Sequence, residues 1–226
     1  MNFLKSIPNI LTSLNLFSGV AAILINDPFY SPLLILAGGI FDLFDGAVAR
    51  KVNASSKFGA ELDSLADVIS FGVAPAFLYF HHVLGIGFLN IIAVGILAVF
   101  TSLRLAKFNI DTEQKVNFVG LPSPASGIFF AFMVLESVDQ KYINYSENTT
   151  IWFLLPIIFS YLMVSKIKFY ALKKSDSKYN NAIKFTIVGI FLVSAIIWLT
   201  TGFPTIPIAI VLYMFISILY YELILR

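Results

Sequence analysis

Long apolar segments alternate with short polar breaks along almost the whole chain. A helix needs about 20 residues to cross the hydrocarbon core of a bilayer, and most of the apolar runs reach that length. The pattern predicts an all-α, polytopic membrane helix bundle of about eight transmembrane helices, with six as the lower bound because the fifth and sixth runs are short. The predicted helices lie at about 7–26, 30–50, 58–80, 84–107, 124–138, 151–166, 183–201 and 204–224.

The first apolar run lies close to the N-terminus, where it could be mistaken for a cleaved leader. Lys5 precedes the run, but Pro8 and Asn9 interrupt it and it continues to Ile25. A secretory leader has an uninterrupted apolar region of 7–15 residues, as a rough rule. We therefore interpret this segment as the first helix.

Composition agrees with the hydropathy pattern. Hydrophobic residues make up 58% of the 226-residue chain and charged residues 12%, against about 25% charged in soluble domains. Cysteine is absent, which excludes disulfides, thiolate metal sites and a cysteine nucleophile. We expect one integral-membrane domain over residues 1–226 and no nucleic-acid partner.

The basic residues predict the orientation of the helices. If the N-terminus is cytoplasmic, eight helices put 14 of the 15 Lys and Arg residues on the cytoplasmic side and leave only Lys141 outside. Such a bias is what the positive-inside rule predicts. Both termini are therefore expected in the cytoplasm, in a protein of the cell membrane.

Acidic residues gather where a membrane would resist them, at the facing ends of the second and third helices. Asp42 and Asp45 share one helical face, and Asp63 and Asp67 form a stripe on the next helix, whereas Glu61 points away. Four carboxylates converging at the inner membrane surface suit a hard divalent cation. The alternative is that they cap helix ends or pair with the basic loop 51–57.

Small residues and one arginine accompany these acids. Gly46, Ala49 and Gly59 leave room for a substrate, or they serve close helix packing. Arg50 could hold a phosphate at the mouth of the site, because its guanidinium offers paired donors. Asn9, Thr12 and Asn15, spaced by three residues on the first helix, either touch a nucleotide or only line the cavity.

The stretch 42–67 resembles the CDP-alcohol phosphatidyltransferase family. Its residues match D-x2-D-G-x2-A-R-x8-G-x3-D-x3-D at every specified position. The resemblance implies an intramembrane enzyme, expected to be a homodimer, that transfers the phosphatidyl group of a CDP-linked lipid to an alcohol and releases CMP. It implies Mg²⁺ or Mn²⁺, with two ions in each subunit. The residue roles that it implies are Asp42, Asp45, Asp63 and Asp67 at the metals, Asp67 as general base, and Asn9, Thr12, Gly46, Ala49, Arg50 and Gly59 at the CDP-lipid.

Three further stretches resemble the branch of the family whose acceptor is L-serine and whose donor is CDP-diacylglycerol. They are "IPNILTSLNLFSG", "SLADVISFGVAPA" and "RLAKFNIDTEQKVNFVGLPSPASG". The zwitterionic acceptor would need groups for a carboxylate and an ammonium. The candidate acceptor residues are Ser70, Arg104, Lys107 and Asn109. Arg104 and Lys107 could instead anchor the topology, and the Ser70 hydroxyl could bond to its own helix.

Two other interpretations stay open at this stage. Another alcohol, glycerol phosphate or inositol phosphate, could replace serine, and an ether-linked lipid could replace the diacyl donor. A cation transporter could also use an acidic cluster. Transporters, however, place such sites near the bilayer midplane with broken helices, whereas these acids lie at the helix ends. An enzyme supplied with substrate from the cytoplasm fits that placement better.

Overall fold

The computed structural model describes residues 3–110, 118–138, 145, 149–170 and 178–223. The described residues form an almost entirely helical bundle, which confirms the predicted fold class. The α-helices are α1 (Phe3–Ile25), α2 (Tyr30–Lys51), α3 (Lys57–Asp67), α4 (Ala74–Tyr79), α5 (Phe88–Ile110), α6 (Ser123–Glu136), α7 (Thr149–Val164), α8 (Lys178–Thr201) and α9 (Thr205–Leu223).

Five helical segments are long and apolar enough to cross a membrane, and three shorter apolar helices accompany them among the described residues. The shorter ones include α6 and α7, which correspond to the two short runs of the sequence. The 14 residues of α6 reach about 21 Å at 1.5 Å per residue, less than the roughly 30 Å of a hydrocarbon core. The number of complete crossings therefore stays a prediction.

The predicted third helix is longer than expected and contains two wider turns. Helix α3 continues without a break through a π-helical segment (Val68–Val73), α4 and a second π-helical segment (Phe80–Leu84). The helix does not break at Gly72 and Pro75. Instead the helix widens, because proline lacks the N–H that an α-helical turn would use.

Glycine ends this long helix and delays the start of the next. Gly85 has φ +73°, a conformation that side-chain-bearing residues rarely adopt. Asn90 then donates from Nδ2 to the carbonyls of Leu84 and Gly85, at 3.0 and 3.2 Å. The predicted boundaries of 80 and 84–107 were therefore wrong by a few residues, since α5 spans Phe88–Ile110.

A small antiparallel ladder joins two connections that the sequence predicts as loops. Strand β1 (Phe118–Val119) pairs with β2 (Lys168–Phe169). Gly120 follows β1 at φ +85°, and a Cβ there would lie 2.0 Å from the carbonyl oxygen of Met163. Only glycine fits this crossing, and strands of two residues are too short to leave an alternating pattern in the sequence.

The ends of several helices meet at one end of the bundle. One groove is lined by residues from the start of α1, the end of α2 and the start of α3. A hydrogen bond from Asn109 Nδ2 to Ser64 Oγ, 3.0 Å, ties the end of α5 to α3. The basic residues Arg50, Lys51 and Lys57 therefore share one end of the molecule. Lys115, Lys141, Lys173, Lys174 and Arg226 lie outside the described residues.

Candidate active site

Three carboxyl groups converge between α2 and α3. Asp63 and Asp67 lie on successive turns of α3 and face Asp42 of α2. One oxygen of each lies within 4.8 Å of the others. The four-residue spacing on α3 and the antiparallel neighbour produce this arrangement, as the helical stripes predict.

The fourth predicted carboxylate, Asp45, lies beside this trio rather than in it. It is three residues after Asp42, so it points about 60° away around the helix axis and lies almost one turn further along. Its Oδ2 accepts a hydrogen bond of 2.6 Å from Thr12 Oγ1, and the side chain is 6% exposed. The expectation that all four acids meet at one point is thus met by three of them.

Helix α1 also contacts the trio. Asn15 is fully buried, and its Nδ2 donates to Asp67 Oδ1 at 3.2 Å. Its backbone carbonyl accepts a hydrogen bond of 2.8 Å from the Ser70 hydroxyl. One polar stripe of α1 therefore holds Asp45 through Thr12 and Asp67 through Asn15.

The carboxyl trio fits a divalent cation. Asp63 faces Asp42 and Asp67 across less than 4.8 Å, and its Oδ1 is buried with no hydrogen-bond partner among the described residues. A buried carboxylate oxygen without a partner is costly unless something neutralises it. Clustered carboxylate oxygens are the ligands that Mg²⁺ and Mn²⁺ favour.

An open groove of about 170 Å³ adjoins the trio. All six residues that the resemblance assigns to the CDP-lipid line it, together with Asp45 and Asp63. The predicted residues among its walls are Asn9, Thr12, Gly46, Ala49, Arg50 and Gly59.

The glycines of the groove keep polar atoms within reach of its interior. A Cβ at position 46 would lie 3.3 Å from Arg50 Nη1, and one at position 59 would lie 3.3 Å from Asn9 Oδ1. The Gly59 N–H donates to the Ser56 hydroxyl at 3.0 Å, which caps α3. The small residues therefore leave room for a ligand as well as for packing.

Arg104 is a buried charged residue close to the trio. Its side chain is 7% exposed, and its guanidinium interacts electrostatically with Asp42 and Asp67. Its Nη1 donates to Ser123 Oγ at 2.8 Å. A topology anchor would project toward the membrane surface, so burial beside the carboxylates favours a role in the site.

The other predicted acceptor residues lie further from the trio. Lys107 and Asn109 are exposed at the end of α5. Asn109 bonds to Ser64 and, at 3.5 Å, to Glu61, the acid that the helical angle places off the stripe. Ser70 is fully buried and donates its proton to α1 rather than to its own helix.

Two serines at the start of α6 were missed by the sequence interpretation. Ser123 bonds to Arg104, and Ser126, three residues later, is fully buried with no hydrogen-bond partner for Oγ among the described residues. Prolines 122 and 124 are a helix-start signal. That signal places both serines on the first turn of a helix, where anions are favoured.

Known proteins resemble this chain over most of its length. The family model described as CDP-alcohol phosphatidyltransferase matches residues 5–146. A CDP-diacylglycerol–serine O-phosphatidyltransferase of Helicobacter pylori is 37% identical over 181 residues, covering 77% of this chain and 76% of the relative. The enzyme of that name from Bacillus subtilis is 37% identical over 172 residues, covering 74% and 92%. An archaetidylserine synthase of Methanothermobacter thermautotrophicus is 34% identical over 169 residues, covering 73% and 69%.

Proposed function

This chain belongs to the CDP-alcohol phosphatidyltransferase family, and we propose that it transfers the phosphatidyl group of CDP-diacylglycerol to the hydroxyl of L-serine, releasing CMP. The observation that carries the proposal is the carboxyl trio Asp42, Asp63 and Asp67 beside an open groove. The names of the bacterial relatives support serine as the acceptor.

The groove is the proposed binding site of the CDP group. Thr12 and Asp45 form one wall, and Gly46, Ala49 and Gly59 leave space against the helix backbones. Arg50 at the exposed rim is suited to a phosphate oxygen, because its planar guanidinium offers paired donors. Asn9, close to Gly59, offers an amide to the nucleotide.

Asp42, Asp63 and Asp67 would hold divalent ions, with Asp45 beside them. We expect Mg²⁺ or Mn²⁺, and two ions in each subunit as the resemblance implies. Ions held there would supply positive charge for the pyrophosphate oxygens of the CDP-lipid. The protein holds the carboxylates in place through helix packing and through the hydrogen bonds from α1.

The proposed reaction is a displacement at the phosphorus that carries diacylglycerol. The serine hydroxyl oxygen forms a new bond to this phosphorus while the bond to the CMP oxygen breaks. Asp67 accepts the hydroxyl proton, because an alcohol is a weak nucleophile until a base removes its proton. CMP leaves with the electron pair of the broken bond.

Arg104 is the proposed partner of the serine carboxylate. It is buried against Ser123 and interacts with Asp67, so a carboxylate bound to it would lie near the base. Ser126 and the first turn of α6 add donors on the same side. Lys107 and Asn109 lie at the exposed end of α5, where they could meet the amino acid as it enters. Ser70 would shape this side of the site through its bond to α1.

The membrane placement follows the charge distribution. We propose that the end with Arg50, Lys51 and Lys57 faces the cytoplasm, from which serine arrives, in the cell membrane where CDP-diacylglycerol resides. A homodimer is expected from the family. All of the proposed machinery described above lies within one subunit.

The test is CMP release by the purified protein across a panel of alcohols. The protein is given CDP-diacylglycerol, a divalent ion and, separately, L-serine, glycerol 3-phosphate or inositol phosphate. We expect CMP to be released with L-serine and not with either of the other two alcohols. Release with glycerol 3-phosphate instead would overturn the choice of acceptor. A parallel series with the ether-linked donor establishes which lipid is preferred.

A further inference from the structure

Asn15 is a polar residue that the helical packing places in direct contact with Asp67. The side chain is fully buried, so its hydrogen bonds cannot be exchanged for water. Nδ2 donates to Asp67 Oδ1 at 3.2 Å. This bond joins α1 to the last turn of α3.

The surrounding contacts leave the Asn15 side chain little freedom. The Ser70 hydroxyl bonds to its backbone carbonyl at 2.8 Å. On the opposite side a Cβ added to Gly38 would lie 2.9 Å from Asn15 Oδ1, a separation that real Cβ atoms essentially never show. The carboxamide therefore fits because position 38 has no side chain.

The electrostatics fix which end of the amide faces Asp67. Oδ1 has no hydrogen-bond partner among the described residues. An inverted amide would turn this oxygen toward the carboxylate and leave Nδ2 against Gly38. Only the observed orientation gives the carboxylate a donor.

We propose that Asn15 positions Asp67: it binds Oδ1 and so leaves Oδ2 directed at the hydroxyl of the acceptor. Asn15 does not touch the reacting atoms, and its effect passes through Asp67. Gly38 contributes to the same positioning, because the absence of a side chain there leaves room for the Asn15 amide. The inference rests on the proposed function, in which Asp67 is the base.

Loss of the hydrogen bond from Asn15 to Asp67 should lower kcat with little effect on KM for the lipid. Asn15→Leu keeps the approximate size of the side chain and removes the donor, so kcat for serine-dependent CMP release should fall on the order of 10–100-fold, as for other residues that orient active-site groups. KM for CDP-diacylglycerol should change less than about threefold, because the groove residues are untouched. A general loss of folding would instead lower the amount of active enzyme and its thermal stability.

Gly38→Ala tests the positioning role of the Asn15 amide without replacing Asn15 itself. Its new methyl group displaces the amide, so kcat should fall in the same manner, with KM for the lipid retained. In an Asn15→Ala background the same change should have almost no further effect, because the atom it displaces is gone. Gly39→Ala is the matched control, since the three atoms nearest to its Cβ are carbons of Phe71 and Ile128 at an ordinary contact distance of 3.7–3.8 Å, and it should retain wild-type kcat.

Failure of the proposed function and failure of the positioning role give different results. If the wild-type protein releases no CMP with any alcohol, the proposed function fails. If it is active with serine but Asn15→Leu keeps full kcat, or loses activity only through a raised KM for the lipid, the positioning role is overturned. Additive effects of Gly38→Ala and Asn15→Ala would likewise contradict it.

Discussion

At the scale of single residues, the spacing of the acids predicts which side of each helix they occupy. Asp63 and Asp67 differ by four positions, and the structure places both against Asp42. The same reasoning could not place Asp45, because a 60° offset matters only once the neighbouring helix is known. Nor could it find the bonds from Thr12 and Asn15, since these join residues 33 and 52 positions apart.

The first prediction concerns the proposed base. Asp67→Asn keeps the shape of the side chain but cannot accept the hydroxyl proton, so serine-dependent CMP release should fall by about 10²–10⁴-fold. Binding of CDP-diacylglycerol, measured by direct titration, should persist. Glu61→Gln is the control, because Glu61 is an exposed acid of the same helix that faces away from the trio. Full activity of Asp67→Asn would refute the assignment.

A second prediction concerns Thr12. Thr12→Val removes the hydroxyl that donates to Asp45 over 2.6 Å while preserving the side-chain volume. Hydrogen bonds to charged groups contribute about 1.5–3 kcal/mol, so affinity for the CDP-lipid and metal should fall by roughly tenfold or more. Ser13→Ala is the control, since Ser13 is exposed and its hydroxyl donates to the backbone carbonyl of Asn9 in its own helix. Equal affinities for the two variants would exclude this role of Thr12.

At the scale of elements, hydropathy locates the helices, but their close approaches depend on particular small residues. The π-helical segment Val68–Val73 packs against α1, α5 and α6 through glycines at positions 19, 72 and 127. The sequence shows Gly72 and Pro75, which suggest an irregular helix, yet not whether that helix breaks or widens. The missing N–H of Pro75 favours the wider turn, and the helices packed around the segment fill the space into which a broken helix would bend.

The third prediction tests the approach of α1 to the π-helical segment. A Cβ at Gly19 would lie 2.6 Å from Ser70 Oγ and 2.8 Å from Ser70 Cα. Since backbone cannot move aside cheaply, Gly19→Ala should lower the free energy of unfolding by about 1–3 kcal/mol.

Thermal inactivation of the detergent-solubilised protein measures this effect. Gly95→Ala is the matched control, because nothing lies within 4 Å of a Cβ at that position of α5. An alanine there should be neutral or stabilising by up to about 1 kcal/mol, as in other helix interiors. A Gly19→Ala protein as stable as Gly95→Ala would show that the helices are not in such close contact.

At the scale of the whole molecule, charge and apolar length predict the class of protein and its orientation. Five long and three shorter apolar helical segments lie in the described part of the chain, and the described basic residues at the ends of α2, α3 and α5 lie at the end that carries the groove. The ladder between β1 and β2 and the left-handed turn at Gly120 were not predictable. They depend on contacts between residues about fifty positions apart, which no local pattern encodes.

The fourth prediction concerns orientation. Because the chain has no cysteine, single cysteines report their own accessibility. Ser55→Cys, in the loop between α2 and α3, should react with a membrane-impermeant maleimide only after intact cells are permeabilised. Ile86→Cys, at a position 91% exposed before α5, should react without permeabilisation. The reverse pattern would place the groove on the outer side.

The most direct measurement of the central claim is the transfer of isotopically labelled L-serine into lipid by the purified protein. With CDP-diacylglycerol and Mg²⁺ or Mn²⁺ present, we predict one labelled phospholipid molecule for each CMP released, and loss of both products when the metal is chelated. CMP release without serine incorporation, or incorporation that does not require the CDP-linked lipid, would contradict the account.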